Sequence, residues 1–165
     1  MRFSLLVLFL TFSIFFSWVN DSNAQIADYN TMIGVVGGTN LGGTVKQFIS
    51  YNGAVDILVY RRWKGWVGAA LYEHHLDIRE FRGLEWYFGG GAHYGIWKDG
   101  KGEPPWVYKI DQDYKVFGID AITGVEYNIN KSNFFVGLYW KPAYNFTDFT
   151  KFWEDEAAFT LRYSL

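Results

Sequence analysis

From Thr31 to the end of the chain, apolar and polar residues alternate with a period of two in short runs, and clusters of Gly, Asn, Asp and Lys separate the runs. A period of two marks strands with one apolar and one polar face, so the pattern predicts eight of them. They are Thr31–Gly38, Gly42–Ile49, Gly53–Arg61, Gly65–His74, Trp86–Trp97, Lys115–Tyr127, Asn133–Asn145 and Ala157–Leu165. The first two are the least regular: GGTNLGG also reads as a bulged stretch of one strand, and VKQFIS as a helical turn.

Each of the later runs divides into two faces. Phe117, Ile119, Ala121, Thr123, Val125 and Tyr127 share one, opposite Gly118, Asp120, Gly124 and Glu126. Phe134, Val136, Leu138 and Trp140 stand against Gly137, Tyr139, Lys141 and Asn145, and Phe159, Leu161, Tyr163 and Leu165 against Ala158, Thr160, Arg162 and Ser164. The segment WYFGGGAHYGIW follows the same rule, with Tyr87, Gly89, Gly91, His93, Gly95 and Trp97 on its polar face. A phosphate-binding loop would need its glycines between a strand and a helix, followed by Lys-Ser or Lys-Thr, and this segment has neither. Its glycines fit the interior of a narrow barrel, where bulky neighbours leave no room for a side chain.

Composition narrows the class. Of 165 residues, 21% are aromatic, 18 are Gly, 3 are Pro and none is Cys, which excludes a disulfide framework and a lipid anchor on cysteine. Arg2, the apolar run from Phe3 to Val19 and the small-x-small SNA read as a secretory signal peptide over residues 1–24, leaving a single domain over residues 25–165 that begins at Gln25. Net charge is −2, which gives no reason to expect nucleic acid as a partner.

A soluble carrier of the lipocalin sort and a membrane barrel share this alternation with opposite facing. The polar face decides between them. It is rich in Gly, and its charges match: Asp56, Glu73, Asp120 and Glu126 against Lys46, Arg61, Lys141 and Arg162, with His93 among them. Small residues and paired charges suit a crowded lumen, so the expected fold is an all-β, eight-stranded antiparallel up-and-down transmembrane barrel. Trp63, Trp66, Trp86, Trp97, Trp140 and Trp153 lie at or near strand ends, as amphipathic rings do at the headgroup level of a membrane. With eight strands both termini lie at the periplasmic end, together with the turns at residues 50–53 and 128–132. The loops at residues 98–114 and 146–156 then lie outside. The connection from His75 to Glu85 is long for a periplasmic turn and reads as a short interfacial helix or a miscounted strand.

On GLEWYFGGGAHYGIW, FGIDAITGVEYNI, FFVGLYWKPAYNF and AFTLRYSL the chain resembles the small outer-membrane β-barrel proteins of Gram-negative bacteria, of the opacity and OmpA-transmembrane-domain type. The resemblance implies an outer-membrane location, contact with outer-membrane lipid and handling by the barrel-assembly machinery. Members usually end in a terminal Phe, where this chain has Leu165.

No catalytic, cofactor or metal site is expected. Glu73, His74 and His75 cannot converge, because adjacent strand residues face opposite ways. His93 lacks an evident Ser partner for a lipid-modifying enzyme, since Ser164 is the one Ser well inside the strands. The expected role is structural or surface-interacting, with the enzyme and the soluble carrier as alternatives. Pro104, Pro105, Trp106 and Tyr108 form a stiff aromatic stretch suited to contact a surface partner or a glycan.

Overall fold

The computed structural model describes residues 31–98, 113–147 and 150–165. Its strands are β1 (Thr31–Gly38), β2 (Leu41–Phe48), β3 (Gly53–Arg62), β4 (Gly65–Asp77), β5 (Leu84–Trp97), β6 (Tyr114–Asn128), β7 (Phe134–Trp140), β8 (Ala143–Asn145), β9 (Phe152–Trp153) and β10 (Ala157–Ser164). All pair antiparallel with their neighbours. β1 pairs β10 through Val35 opposite Leu161, and β5 pairs β6 from Leu84 opposite Tyr127 to Trp97 opposite Tyr114, so the sheet closes on itself. Closure gives each stave a neighbour on both sides; among the described residues the short β9 is paired on its β8 side.

The ten segments make eight staves. β7 and β8 are one stave, interrupted where Pro142 offers no N–H to the ladder. Register is unchanged across the gap: Trp140 faces Thr123, Ala143 faces Asp120, and Ala121 N still donates to Pro142 O at 2.9 Å. β9 and β10 are another stave, broken by a bulge. Lys141 N bonds Glu156 O at 2.8 Å while Ala143 faces Trp153, so the last stave spends three residues where its neighbour spends two.

The eight-strand reading holds where the pattern is least regular, and one connection differs. β1 and β2 are separate strands joined by a turn at Thr39 and Asn40. The connection after β4 shortens to residues 78–83 because both flanking strands run further than their alternation suggests; it is a pair of tight turns, Phe81 N to Ile78 O and Leu84 N to Phe81 O, and contains no helix. The hairpin between β3 and β4 turns on Trp63 and Lys64, with φ of 46° and 61°, the left-handed pair that matches strand twist.

Facing follows the alternation. Ile33, Val35, Ile57, Val59, Phe117, Ile119, Leu138, Leu161 and Tyr163 are exposed on the outside, while Lys46, Asp56, Glu73, Glu126 and Arg162 are buried inside. Gly89 and Gly91 face inward so close to β4 that a Cβ would stand 1.8 Å from Tyr72 O and 1.9 Å from Ala70 O. Gly91→Ala is therefore expected to destabilise the barrel by about 1 to 3 kcal/mol through forced backbone movement. Gly43→Ala, whose Cβ meets Gly34 O at an ordinary 3.6 Å, should be close to neutral. Urea unfolding in micelles, followed by the gel mobility of folded and unfolded forms, measures both.

Candidate functional site

The lumen is filled by two charged layers with an apolar layer between them. Toward the end where Thr31 and Leu165 lie, Lys46 on β2 places Nζ 2.7 Å from Glu73 Oε2 on β4 and 3.5 Å from Glu126 Oε1 on β6. Arg162 on β10 reaches Asp56 Oδ2 on β3 at 2.7 Å with one arm, and contacts Glu126 Oε1 and the Thr160 hydroxyl with the other. Thr44 donates to the second oxygen of Asp56. The Lys46 ammonium also lies 4.4 Å from the centre of the Tyr87 ring. All these charged groups are buried, so each is paired in a medium where an unpaired charge is costly.

Leu58, Tyr60, Leu71, Ile122 and Tyr139 form the middle layer. Beyond it, toward the loop end, Lys141 Nζ lies 2.7 Å from Asp120 Oδ1 and 2.8 Å from Glu156 Oε1. His93 sets Nδ1 3.0 Å from Asp120 Oδ2 and Nε2 2.8 Å from Asn145 Oδ1. Arg62 donates to Glu156 Oε2 at 2.9 Å and pairs also with Asp155. Adjacent residues of a regular strand face apart; the bulge in the last stave lets Asp155 and Glu156 both reach one guanidinium.

The mouth above this layer is closed by rings. Trp63, Trp97 and Trp153 have centroids 5.8 to 6.5 Å apart, and the Arg62 guanidinium lies 3.9 Å from the Trp63 centroid and 5.0 Å from that of Trp153. Trp97 Nε1 donates to Arg62 O at 3.0 Å, which fixes the ring across the opening. Trp66, Trp86 and Trp140 are the outward ones. The expectation that all six tryptophans sit at a membrane border is thus corrected: three of them plug the lumen, because their positions share the inward parity or lie on the turn above it.

Arg61 is the other correction. Asp56 and Arg61 are an odd number of residues apart on β3, so they face opposite ways; Arg62 is the inward residue, and Arg61 is exposed with its guanidinium 5.5 Å from the Trp66 ring centre. Lys46, Asp56, Glu73, His93, Asp120, Glu126, Lys141 and Arg162 all face the lumen. Sequence reasoning left Arg62, His75 and Glu156 out of the lumen, while it placed Asn145 on the polar face where the structure has it. His75 faces inward, with Nε2 3.2 Å from Glu73 Oε2 and Nδ1 2.8 Å from Glu85 Oε2, while His74 lies on the outer side against Phe88. Parity from Leu71 places His75 inside, and parity from Arg162 places Glu156 inside, one position before the predicted last strand begins; across the bulge it is Trp153 that is out of step. Pro104, Pro105, Trp106 and Tyr108 lie outside the described residues.

Both ring nitrogens of His75 and of His93 are engaged by carboxylate or amide groups, and the Ser164 hydroxyl is buried at the far end of β10. Among the described residues no group of three His, Cys, Asp or Glu side chains is arranged to hold a metal ion.

No family model matches the chain, and no curated protein matches it. Among solved structures it is similar to the crystal structure of the N-terminal β-barrel domain of Pseudomonas aeruginosa OprF, with a TM-score of 0.65 and 14% identity over 83% of this chain and 98% of that one. At that identity the likeness establishes the fold alone: an eight-stranded closed antiparallel β-barrel like that domain.

Proposed function

We propose that the chain is an outer-membrane protein without enzymatic activity, serving a structural or surface-interaction role. The observation that carries this reading is the inversion of facing: side chains such as Ile57, Ile119, Leu138 and Leu161 point outward, while Lys46, Asp56, Glu73, Glu126 and Arg162 are sealed within. Such a barrel is stable in lipid and insoluble in water. The same facing argues against a soluble carrier, whose apolar face would line a ligand cavity. The enzyme reading needs a hydroxyl hydrogen-bonded to a histidine, and the partners of His75 and His93 are of other kinds.

In this reading a signal peptide over residues 1–24 directs export, the assembly machinery inserts the barrel from the periplasm, and the end bearing Thr31 and Leu165 stays there. The loops then face outward, where Pro104, Pro105, Trp106 and Tyr108 meet a surface partner or glycan. Lumen charges serve stability, and the ring plug over Arg62 denies a conducting path. Fractionation should place the protein in the outer membrane with heat-modifiable gel mobility and a mature N-terminus at Gln25. The folded protein in planar bilayers should show no steady conductance. Recovery in the soluble fraction, or a single mobility with and without heating, would refute the membrane reading.

A further inference from the structure

Among the described residues, Arg61 and Lys115 are the two formally charged side chains on the outward positions of the strands; the other polar ones there are Thr31, Gln47, His74 and Thr123. They stand in one row. Arg61 faces Trp66 across β3 and β4, Trp66 faces Ile96, and Ile96 faces Lys115, so the row crosses four staves, about 14 Å at the spacing of paired strands. Lys98 follows two positions beyond Ile96, and Lys64 sits in the hairpin just above Arg61. Asp113 lies two residues before Lys115, and Asp99 follows Lys98 in the sequence. No carboxylate of the described residues pairs with Arg61, Lys98 or Lys115; Arg61 bonds Lys64 O and lies against Trp66.

The row's height is informative. From Trp86, exposed at one border, to Ile96 in the row is ten residues of β5. That is about 33 Å along the strand and about 25 Å along the axis at a tilt of roughly 40°, the height of an apolar membrane band. The tilt of the staves slopes the row by about 3 Å per stave, so Lys115 stands at the headgroup level of the loop-side leaflet and Arg61 about 6 Å inside it, a depth that an extended guanidinium spans. Directly below Arg61, Val59 lies between Gly43 and Gly68, neither of which has a side chain to fill the outer surface. This shallow floor opens into an apolar groove of about 770 Å³ walled by Val35, Val45, Ile57, Phe134 and Leu161.

We propose that the Arg61–Lys115 row binds the phosphate groups of a phosphorylated lipid in the loop-side leaflet, and that one or more of its acyl chains lie in the groove over Gly43. Charge complementarity identifies the head group: a guanidinium and an ammonium that no carboxylate of the described residues neutralises, at the border of the apolar band and flanked by Trp66, select a phosphate over a neutral sugar or choline head. The inference rests on the outer-membrane reading, in which that leaflet is the external one.

The test uses the full mature barrel refolded in micelles, with heat-modifiable mobility confirming the fold of each variant before binding is read. Native mass spectrometry then measures retention of bisphosphorylated lipid A and of the same lipid stripped of phosphate. The wild-type protein should hold the phosphorylated form about tenfold more tightly, and the double variant Arg61→Gln, Lys115→Gln should lose that preference while still holding the stripped lipid. Gly43→Leu, which fills the groove from its floor, should weaken both. Equal retention of the two lipids, an unchanged double variant, or a protein dimer in place of lipid on this face would overturn the site while leaving the barrel reading intact. Failure of every variant and of the wild type to show heat-modifiable mobility would instead overturn the barrel reading itself.

Discussion

Replacement of Arg162 by Met is expected to destabilise the barrel by about 3 to 5 kcal/mol, more than any other single change in the lumen. The guanidinium is the shared partner of Asp56 on β3 and Glu126 on β6, and both carboxylates are buried. Met preserves much of the volume, so the loss reports two stranded charges and little else. Lys46 cannot compensate fully, because it already serves Glu73 at 2.7 Å and stands 3.5 Å from Glu126. Neutralising the acids in the same chain, as Asp56→Asn with Glu126→Gln, should recover most of the stability, since an uncharged hydrogen-bonded layer carries no unpaired ion. Urea unfolding midpoints of the four proteins in micelles give the coupling. If Arg162→Met costs as much with the acids neutralised as without, the pairs contribute nothing and the lumen is held by its apolar layer alone.

How the residues declare themselves explains why Arg162 was legible before the structure and Arg62 was not. On β6, β7 and β10 the period of two runs unbroken, so Asp120, Glu126 and Arg162 fall on the polar face by counting. On β3 two adjacent arginines offer the same chemistry at opposite parities, and a predicted strand that stops at Arg61 hides the inward one. Glu156 is hidden by a boundary as well: it keeps the parity of Arg162, but the predicted last strand starts at Ala157, whereas the extra residue between Trp153 and Glu156 resets the alternation for Trp153, and nothing in FWEDE marks it. Trp97 and Trp153 mislead because a large ring with one N–H suits a membrane border and a lumen plug equally. Which acid meets which base depends on the stagger of staves around the barrel. That stagger brings Lys46 to Glu73 and Arg162 to Asp56, residues 27 and 106 positions apart, and no local pattern encodes it.

The outer surface is tested by a charge placed where none stands. Leu138 is exposed on β7 between Val125 of β6 and Phe159 of β10; Val125 also faces Trp86, and the tilt of the staves sets Leu138 about 6 Å inside the border that Trp86 marks. Leu138→Arg should cost about 1 to 3 kcal/mol in a lipid bilayer, between the cost of a guanidinium at the interface and its cost at the midplane. Arg introduced one row from the loop-side border should cost less than about 1 kcal/mol, as the native Arg61 and Lys115 suggest. A barrel standing in water would show the reverse: Leu138→Arg would replace an exposed apolar side chain with a soluble one and leave stability unchanged or raised. Folding free energies in phosphatidylcholine vesicles separate the two cases. A Leu138→Arg barrel as stable as the native one in those vesicles would mean that β7 turns its other face, the one carrying Phe135, Gly137 and Tyr139, toward lipid.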